Sequence, residues 1–455
     1  MRVLAVIVAI LAIGCSQTTA PLAPSPTDNA IPQATGTSNP STTPPPALLG
    51  EIAEFRSQVT RSPATQEGLD ALAEMVAGDK ALAFNLYQYL AGMEDGNVFL
   101  SPYSISTALS MVLAGAREET AAELAAALGA TDLGEDWHAA RNNLELLLDE
   151  LSQFHPTSHH PDGVAVPLTL EPTNAIVGQS GYPFQEDFLD ILATDYGAGM
   201  NALDISSDPE AARVAINAWV AEKTHDRIEE LLNKDSIDTL TRAVLVNAIY
   251  FKGNWTGGFK PSLTGPAPFH LLDGSTVDVP MMHNGGGGTS SYAIGDGWQA
   301  ARLSYYGGAS MLMIVPDEGH YSEIEGKLNS DFLAEVDGAL DVYTLNLDMP
   351  KWETNTRFDV IPAMQELGVS RLFDQGTADL TGIADIEQLY ISGVVHQANI
   401  TVDEEGTEAA AATAAVVEAV SGHPSASLTI DRPFIYLIRA GDVGEILFMG
   451  RVLQP

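Results

Sequence analysis

Cysteine and basic residues are both scarce in this chain of 455 residues. Cys15 is the only cysteine, so the sequence cannot form an internal disulfide and its stability must come from packing. Lysine and arginine together number 21 against 60 acidic residues, which gives a formal net charge of −39. This charge repels phosphate and sulfate groups and therefore argues against nucleic acid, anionic polysaccharides and anionic lipid surfaces as partners.

Long hydrophobic runs are also missing, apart from one at the N-terminus. The first fifteen residues read MRVLAVIVAILAIGC, and their apolar run from Val3 to Ile13 is too short to span a bilayer. The segment resembles a bacterial lipoprotein signal, which implies cleavage before Cys15 and lipidation of its thiol. A plain secretory signal is the alternative. We therefore expect an extracytoplasmic protein, anchored by lipid at the cell surface or in the periplasm in the first case and secreted in the second.

A segment with few large apolar residues follows the signal. Residues 16–49 are mostly Pro, Thr, Ser, Ala and Asn and include Pro44-Pro45-Pro46. This composition cannot bury a core and predicts a disordered, partly extended tether. The chain then divides into a signal peptide at 1–14, a lipidated cysteine with its tether at 15–68, and one folded domain at 69–455.

Helical and strand-like patterns occupy different halves of the predicted domain. Apolar residues recur at helical spacing from Leu69 to Leu90, and further helices are predicted at 102–114, 118–128, 138–153, 184–195 and 208–232. Strand-like runs follow at 244–251, 311–315, 342–349, 389–392, 399–402, 434–439 and 446–452. Helices first and strands later predict an α+β fold with large antiparallel or mixed sheets, not alternating βαβ units.

The sequence contains none of the common catalytic signatures. It has no GxSxG, no serine three residues before a lysine, no HExxH and no P-loop, so we expect no enzymatic activity and no cofactor. His155, His159 and His160 have a metal-like spacing, but prolines on both sides indicate a loop. A solvated histidine-rich loop is therefore preferred to a metal site.

Several stretches, taken in order, resemble the serpin family over nearly all of residues 69–455. They are NVFLSPYSISTALSMVLAGAREETAAELAAALG from Asn97, INAWVAEKTHDRIEELL from Ile216, TRAVLVNAIYFKGNW from Thr241, VPMM from Val279, SMLMIVPDEG from Ser310, MPKWETNTRFDV from Met349 and DRPFIYLIRAGDVGEILFMGRV from Asp431. The resemblance implies the serpin fold, with about nine helices packed on three β-sheets and an exposed reactive-centre loop at about 404–430. It also implies inhibition of proteases by a bait loop that enters the main sheet after it is cut.

The stretch ITVDEEGTEAAAATAA resembles the hinge and first half of that loop. The corresponding hinge residues are Glu404, Glu405, Gly406, Thr407, Glu408, Ala409, Ala410, Ala411 and Ala412. Alternate side chains of a strand face opposite sides, so one face would carry Thr407, Ala409, Ala411, Thr413, Ala415, Val417 and Ala419, all of them uncharged. Because an unpaired charge is costly to bury, this pattern favours a strand that can enter a sheet. Alanine also favours helices, so an uninserted, partly helical loop is the alternative.

The resemblance also suggests where the loop is cut. The family's spacing from the hinge, taken to start at Glu404, places the reactive bond at Val420–Ser421, with Ala419 or Gly422 as alternatives. A β-branched valine suits a small apolar pocket, so elastase-like serine proteases are the favoured partners. Subtilisin-like and cysteine proteases are further candidates, whereas trypsin-like proteases require Arg or Lys.

Further residues of the family map to the path that the loop would enter. A buried polar cluster corresponds to Ser101, Ser104, Asn247 and His396, whose side chains we expect to bond to one another and to hold two strands together. Trp255 resembles the aromatic residue at the top of the sheet, where insertion begins. Relatives pair the first hinge acid with a lysine just before VPMM, but this chain has Asp278 there. Two carboxylates near the entry could ease insertion or favour spontaneous latency.

A non-inhibitory serpin that serves as a binding or scaffold module is the alternative function. The small residues Ala409 to Ala412 favour an inhibitor, because non-inhibitory members often carry bulky or charged residues there. The family's heparin-binding helix corresponds roughly to residues 138–154, where ARNNLELLLDE contains a single arginine, so we do not expect activation by heparin. We expect a monomer whose only membrane contact is its lipid.

Overall fold

Most of the described helices lie in the first half of the domain, as the sequence predicts, and three that were not predicted lie between residues 321 and 366. The computed structural model describes residues 52–153, 168–286, 288–386, 389–407 and 422–455. Nine α-helices lie within these ranges: α1 Gln66–Met93, α2 Pro102–Gly115, α3 Glu118–Leu128, α4 Asp136–Gln153, α5 Glu186–Tyr196, α6 Pro209–Lys223, α7 Tyr321–Gly326, α8 Ser330–Ala339 and α9 Ile361–Glu366. A side chain caps the longest of them: the Thr65 hydroxyl accepts the backbone N–H of Gly68 at the start of α1.

The helix predicted at 208–232 is too long. Helix α6 ends at Lys223, and the chain then leaves the helical region, since His225 and Asp226 have φ values of 52° and 60°. The apolar residues that appeared to continue the helical pattern are buried in a non-helical connection; they are Ile228, Leu231 and Leu232.

The strand predicted at 389–392 is also wrong. These residues form an irregular connection, and the next strand starts only at Gly393. The amides of Ile391 and Ser392 each bond to a backbone carbonyl, but on two different parts of the chain rather than along one neighbouring strand. Leu389 and Ile391 are buried, so apolar side chains alone produced the strand-like pattern.

The domain has seventeen described strands, most of them in its second half. They are β1 Ala53–Phe55, β2 Val98–Leu100, β3 Thr169–Gln179, β4 Met200–Leu203, β5 Ala243–Asn254, β6 Gly265–His270, β7 Thr276–His283, β8 Gly288–Gly295, β9 Trp298–Ser304, β10 Ala309–Pro316, β11 Asp341–Pro350, β12 Trp352–Asp359, β13 Gly393–Val402, β14 Gly406–Thr407, β15 Ser425–Thr429, β16 Phe434–Ala440 and β17 Glu445–Val452.

These strands form three sheets. The main sheet has the order β1-β4-β3-β5-β14-β13-β12, and a second has the order β2-β17-β16-β10-β9-β8. The third contains β6, β7, β11 and β15. Strand β11 joins the second and third sheets, because its first half pairs with β8 and its last residues pair with β7. The structure confirms the predicted α+β fold, with nine described helices and three sheets.

A boundary between two parallel strands divides the main sheet. Strands β5 and β13 pair directly from Val244 opposite Gly393 to Ile249 opposite Ala398. Farther along, the short strand β14 lies between them and pairs antiparallel with both. We call this β5–β13 boundary, including the β14 end, the seam. Strands β3, β4 and β1 lie on one side of it, and β12 lies on the other.

Helix α2 packs behind the seam and links two sheets. It contacts β3 and β5 of the main sheet and β17 of the second sheet. Nearly all of its residues are buried, as expected of a helix without a polar face. Its N-terminal serines therefore lie directly beneath the strands that flank the seam.

The chain joins the domain earlier than the composition predicted. Residues 52–65 lie against it, and β1 pairs with the edge strand β4. The prediction of a disordered tether is therefore wrong for residues 52–68. This segment has no core of its own, but its backbone and polar side chains bond to the domain. The signal segment, Cys15 and the tether up to residue 51 lie outside the described residues. Within the described ranges, no helix combines the length and the apolar composition that a bilayer crossing requires.

An ion pair hidden from solvent joins α1 to α4. Arg141 is 0% exposed and Asp79 is 1% exposed, and the two guanidinium nitrogens of Arg141 lie 2.7 and 2.8 Å from the two carboxylate oxygens of Asp79. Ser106 of α2 bonds to both residues. Burial, together with the charge of Asp79, raises the pKa of Glu445 on β17 well above its ordinary value. Four elements thus meet at one buried cation.

Replacing Arg141 with Met should therefore destabilise the protein strongly. The variant leaves the Asp79 carboxylate buried without its cation, which costs about 3–5 kcal/mol. Urea unfolding of both proteins measures the difference. Lys327→Met is the control, because Lys327 pairs with Glu323 on the surface, and its unfolding curve should match that of the wild type. Similar curves for all three proteins would contradict the structural role of the pair.

Candidate functional site

The predicted hinge enters the main sheet at the β14 end of the seam. Gly406 and Thr407 form β14, opposite Asn254 and Gly253 of β5, and Thr407 also pairs with Val402 of β13. Gly406 has a φ of 155°, and a Cβ placed on it would lie 2.0 Å from the carbonyl oxygen of Gly253. Glycine is therefore required at this position by both conformation and space.

Thr407 has the orientation that the alternation of the loop predicts. Its side chain is 1% exposed, and its hydroxyl lies 2.8 Å from the hydroxyl of Tyr305. The uncharged face of the loop thus begins inside the sheet. Later residues of the predicted loop lie outside the described residues: Glu408, Ala409, Ala410, Ala411, Ala412, Val420 and Ser421.

Trp255 lies at the same end of the seam, next to Asn254, which pairs with Gly406. Its ring stacks on Tyr305 with a centroid separation of 4.2 Å. The indole N–H donates to the carbonyl of Asp403 at 3.1 Å, and the backbone N–H of Trp255 donates to the carbonyl of Glu405 at 2.9 Å. Trp255 and Tyr305 therefore form an aromatic support beneath the turn that leads into β14.

Glu404 has an ionic partner after all. Its carboxylate is bound by the ammonium of Lys351 and accepts the hydroxyl hydrogen of Thr264 at 2.7 Å. Burial alone would raise the pKa of Glu404, but the bonds from Lys351 and Thr264 outweigh that effect and lower it. Asp278 is an exposed residue of β7. The hypothesis that two unpaired carboxylates change the entry therefore fails for Glu404.

Lys351 could have been found from strand pairing. It immediately precedes β12, whose first residue, Trp352, lies opposite Val402 of β13. An antiparallel register then brings Lys351 to the turn after β13, next to Glu404. The sequence shows Lys351 only as part of the MPKW stretch. It does not show the register between β12 and β13 that brings Lys351 to Glu404.

The four residues of the predicted polar cluster lie together beneath the seam. The backbone N–H of Ser101 donates to Nε2 of His396 at 3.0 Å, and Nδ1 of His396 bonds to Oδ1 of Asn247. The Asn247 amide donates to the Ser104 hydroxyl at 2.9 Å. All four residues are 0% exposed, so their mutual bonds replace those that water would supply.

Asn174 of β3 is a fifth member that the sequence did not reveal. Its side-chain oxygen accepts hydrogen bonds from Ser104 at 2.8 Å and from Asn247 at 2.6 Å. The cluster therefore extends from β13 through β5 to β3. No motif marks Asn174, because only the pairing of β3 with β5 places it opposite Asn247.

His396 is held in its neutral form. Burial lowers the pKa of His396 to about 3, and Nε2 accepts a backbone N–H, so the ring proton resides on Nδ1 and is donated to Asn247. His396 and Asn247 are also direct neighbours in the β5–β13 register. Their bond crosses the seam, and a strand that enters the seam must separate these two side chains.

Two further sites were rejected from the sequence, a heparin-binding helix and a metal site in the histidine-rich loop. The single arginine of α4, Arg141, is buried, so it cannot offer its charge to a sulfated polysaccharide on the surface. His155, His159 and His160 lie outside the described residues. Among the residues that the structure describes, no group of three His, Cys, Asp or Glu side chains could hold a metal ion.

The stability of the protein should fall in acid because His396 is buried neutral. Its pKa of about 3 in the folded state lies below the value of about 6.5 in an unfolded chain. The unfolded state therefore binds more protons between these values, and stability is complete above pH 6.5 and is lost as the pH falls towards 3. Urea midpoints measured across this range should change less steeply in His396→Gln than in the wild type.

His225→Gln is the control for this measurement, because the side chain of His225 is 57% exposed. His138, whose pKa burial lowers to about 4, contributes a similar dependence that all three proteins keep. Equal slopes for His396→Gln and His225→Gln would contradict the neutral, buried state of His396.

Comparison with known proteins agrees with this architecture. The family model described as Serpin (serine protease inhibitor) matches residues 77–455. Leukocyte elastase inhibitor of Equus caballus is 35% identical over 79% of this chain and 93% of its own length. An uncharacterized serpin-like protein of Thermococcus kodakarensis is 34% identical over 92% of this chain and 93% of its own. Human thyroxine-binding globulin, solved with its ligand, superposes with a TM-score of 0.72 at 28% identity, covering 85% of this chain and 99% of that one. This chain therefore belongs to the serpin family.

Proposed function

We propose that this serpin inhibits serine proteases by acting as a substrate that traps the enzyme. The observation that carries the proposal is the position of the hinge, where Gly406 and Thr407 already pair inside the seam. The segment that continues from Thr407 therefore starts at a place where it can extend as a strand between β5 and β13. Its alternating face of small, uncharged residues suits the space beneath.

In the proposed reaction the protease supplies the catalytic groups and this chain supplies the bond. The serine oxygen of the protease forms an ester with the carbonyl carbon of Val420, and the Val420–Ser421 peptide bond breaks. The serine proton leaves with the new amino group of Ser421. Water would complete an ordinary cleavage by hydrolysing the ester, so trapping requires insertion of the freed segment before water reacts.

The seam explains why insertion would be favourable. Each backbone hydrogen bond that the inserted segment makes with β5 or β13 has a net value of roughly 1 kcal/mol, and alanine side chains add little steric opposition. The inserted segment would replace the single ladder between β5 and β13, which runs from Val244–Gly393 to Ile249–Ala398, with two ladders. It must also break the side-chain bond between His396 and Asn247. Asn247 keeps its bonds to Ser104 and Asn174 when that contact breaks, so the cluster can open without leaving every member unpaired.

The proposed target class is elastase-like. Val420 offers a β-branched apolar side chain at the predicted bond, and the relatives at about 35% identity include leukocyte elastase inhibitors. The proposal also includes an extracytoplasmic location, with a lipid on Cys15 holding the inhibitor at a membrane. The motif of residues 1–15 supports that location.

Incubation with an elastase should give a covalent adduct. We expect a band on denaturing electrophoresis at the summed mass of the protease and the cleaved inhibitor, together with a released C-terminal fragment that begins at Ser421. Heat-inactivated elastase is the control and should give no adduct. Complete cleavage without adduct would contradict the trapping mechanism. It would favour the alternative function, a non-inhibitory serpin that serves as a binding module.

Replacing Thr407 with Arg should convert the inhibitor into a substrate. The arginine would lie on the inward face of β14, where an unpaired cation is costly, so the adduct yield should fall at least about tenfold while cleavage continues. Thr276→Arg is the matched control, because Thr276 is an exposed residue of β7 and its variant should inhibit as the wild type does. Equal adduct yields from both variants would rule out insertion along the seam.

A further inference from the structure

The segment before α1 binds the domain through residues that the family model does not cover. Residues 52–65 precede α1 and lie N-terminal to the matched range of 77–455. They run from the edge of the main sheet across α5 to α4, and their last residue, Thr65, caps α1. We call residues 52–65 the strap. The role inferred for the strap is to oppose expansion of the main sheet, and it therefore rests on the proposed function.

One end of the strap is attached to the edge of the main sheet. Strand β1 pairs antiparallel with β4, with Glu54 opposite Asn201. The Ser57 hydroxyl bonds to the carboxylate of Asp190 on α5. The Arg56 guanidinium donates to the carbonyl of Gly197, just after α5, at 2.8 Å. This end of the strap therefore belongs to the β4–α5 side of the domain.

The other end of the strap is attached to α4. Arg61 donates to the side-chain oxygen of Asn142 at 2.9 Å, lies 3.0 Å from a carboxylate oxygen of Glu145 and lies 3.5 Å from one of Asp149. The backbone N–H of Thr65 donates to Asn143 at 3.0 Å. Asn142 and Asn143 are 1% and 4% exposed, so these contacts are set into the domain and not merely laid on its surface.

Ser62 connects the two helices directly. Its backbone N–H donates to the carbonyl of Thr194 on α5 at 2.9 Å, and its own carbonyl accepts the side-chain amide of Asn142 on α4 at 3.0 Å. One residue of the strap is thus bonded to α5 and to α4 at the same time. A change in the spacing of these helices must break one of the two bonds.

Insertion along the seam requires such a change. A new strand between β5 and β13 must displace β5, β3 and β4 from β13 by about 4.8 Å, the spacing of neighbouring strands. Helix α1 packs against β17 of the second sheet, and α4 packs against α1. Because β2, which pairs with β17, contacts β12 and β13, α1 is connected to the opposite side of the seam from β4. Helix α4 lies between the two sides, because it packs against α1 and also against α5 and β3.

We propose that the strap restrains expansion of the main sheet by joining its β4 edge to α4 and α1. While the strap is bonded at both ends, the seam opens slowly, and the protein keeps its bait loop available. Release of the Arg61 end lowers this barrier and speeds spontaneous insertion of the uncut loop. The surface formed by β4, α4 and α5 is therefore a docking site for this chain's own N-terminal segment.

Arg61→Ala in the full-length protein tests the proposal. During incubation at a mildly elevated temperature, uncut protein that has inserted its loop resists heat unfolding and no longer forms an adduct with elastase. We expect Arg61→Ala to convert about five- to tenfold faster than the wild type. Arg371→Ala is the matched control, since Arg371 pairs with Glu123 away from the strap, and it should convert at the wild-type rate. Equal rates for the two variants would overturn the proposal.

A reversible crosslink separates the strap from a general loss of stability. Cysteines replacing Glu54 and Asn201, with Cys15→Ser, would face each other across the β1–β4 pair and can be oxidised to a disulfide. The oxidised protein cannot release the β4 end of the strap, so it should convert more slowly than the same protein after reduction. Equal rates here, together with equal rates for Arg61→Ala and Arg371→Ala, would overturn the proposal. If loop-cleaved wild-type protein shows no gain in heat resistance, the proposed function fails instead, whereas a gain without any effect of Arg61 or the crosslink refutes the strap alone.

Discussion

The hydrogen bond between His396 and Asn247 closes the seam on which the rest of the structure depends. It joins two parallel strands that are far apart in the chain. Burial keeps the imidazole neutral, so its other nitrogen, Nε2, can accept the backbone N–H of Ser101 at the same time. Direct pairing of β5 and β13 ends at Ile249 and Ala398, where β14 takes over. At one end of the seam β5 and β13 pair directly, and at the other end β14 already separates them as an added strand.

Several of the few cations neutralise acidic groups that are removed from water. The chain has 21 basic and 60 acidic residues, and three of the basic ones show this role. Arg141 neutralises Asp79 inside the helical layer, Lys351 binds Glu404 at the hinge, and Arg61 binds Glu145 under the strap. The surplus of negative charge remains on the surface, where solvent screens it.

The seam and the N-terminal strap are held by the same kinds of contact. Neither is reinforced by a disulfide, so both are held by hydrogen bonds and ion pairs that can break and form again. The seam is crossed by His396, and the strap crosses the helices that must move when the seam opens. If the sheet opens as proposed, these contacts must be strong enough to last and weak enough to break during insertion.

Sequence alone predicted the α+β class, six of the nine described helices, six of the seventeen described strands and four members of the polar cluster, because these depend on local periodicity and on motifs of a known family. It also predicted the inward orientation of Thr407, since alternation along a strand is a local property. Lys351, Asn174 and Tyr305 became part of the site only through strand register and ring packing, which link residues distant in the chain. The order of residues 52–65 was likewise decided by tertiary structure: their polar composition describes a tether, and only the groups offered by β4, α4 and α5 turn it into a strap.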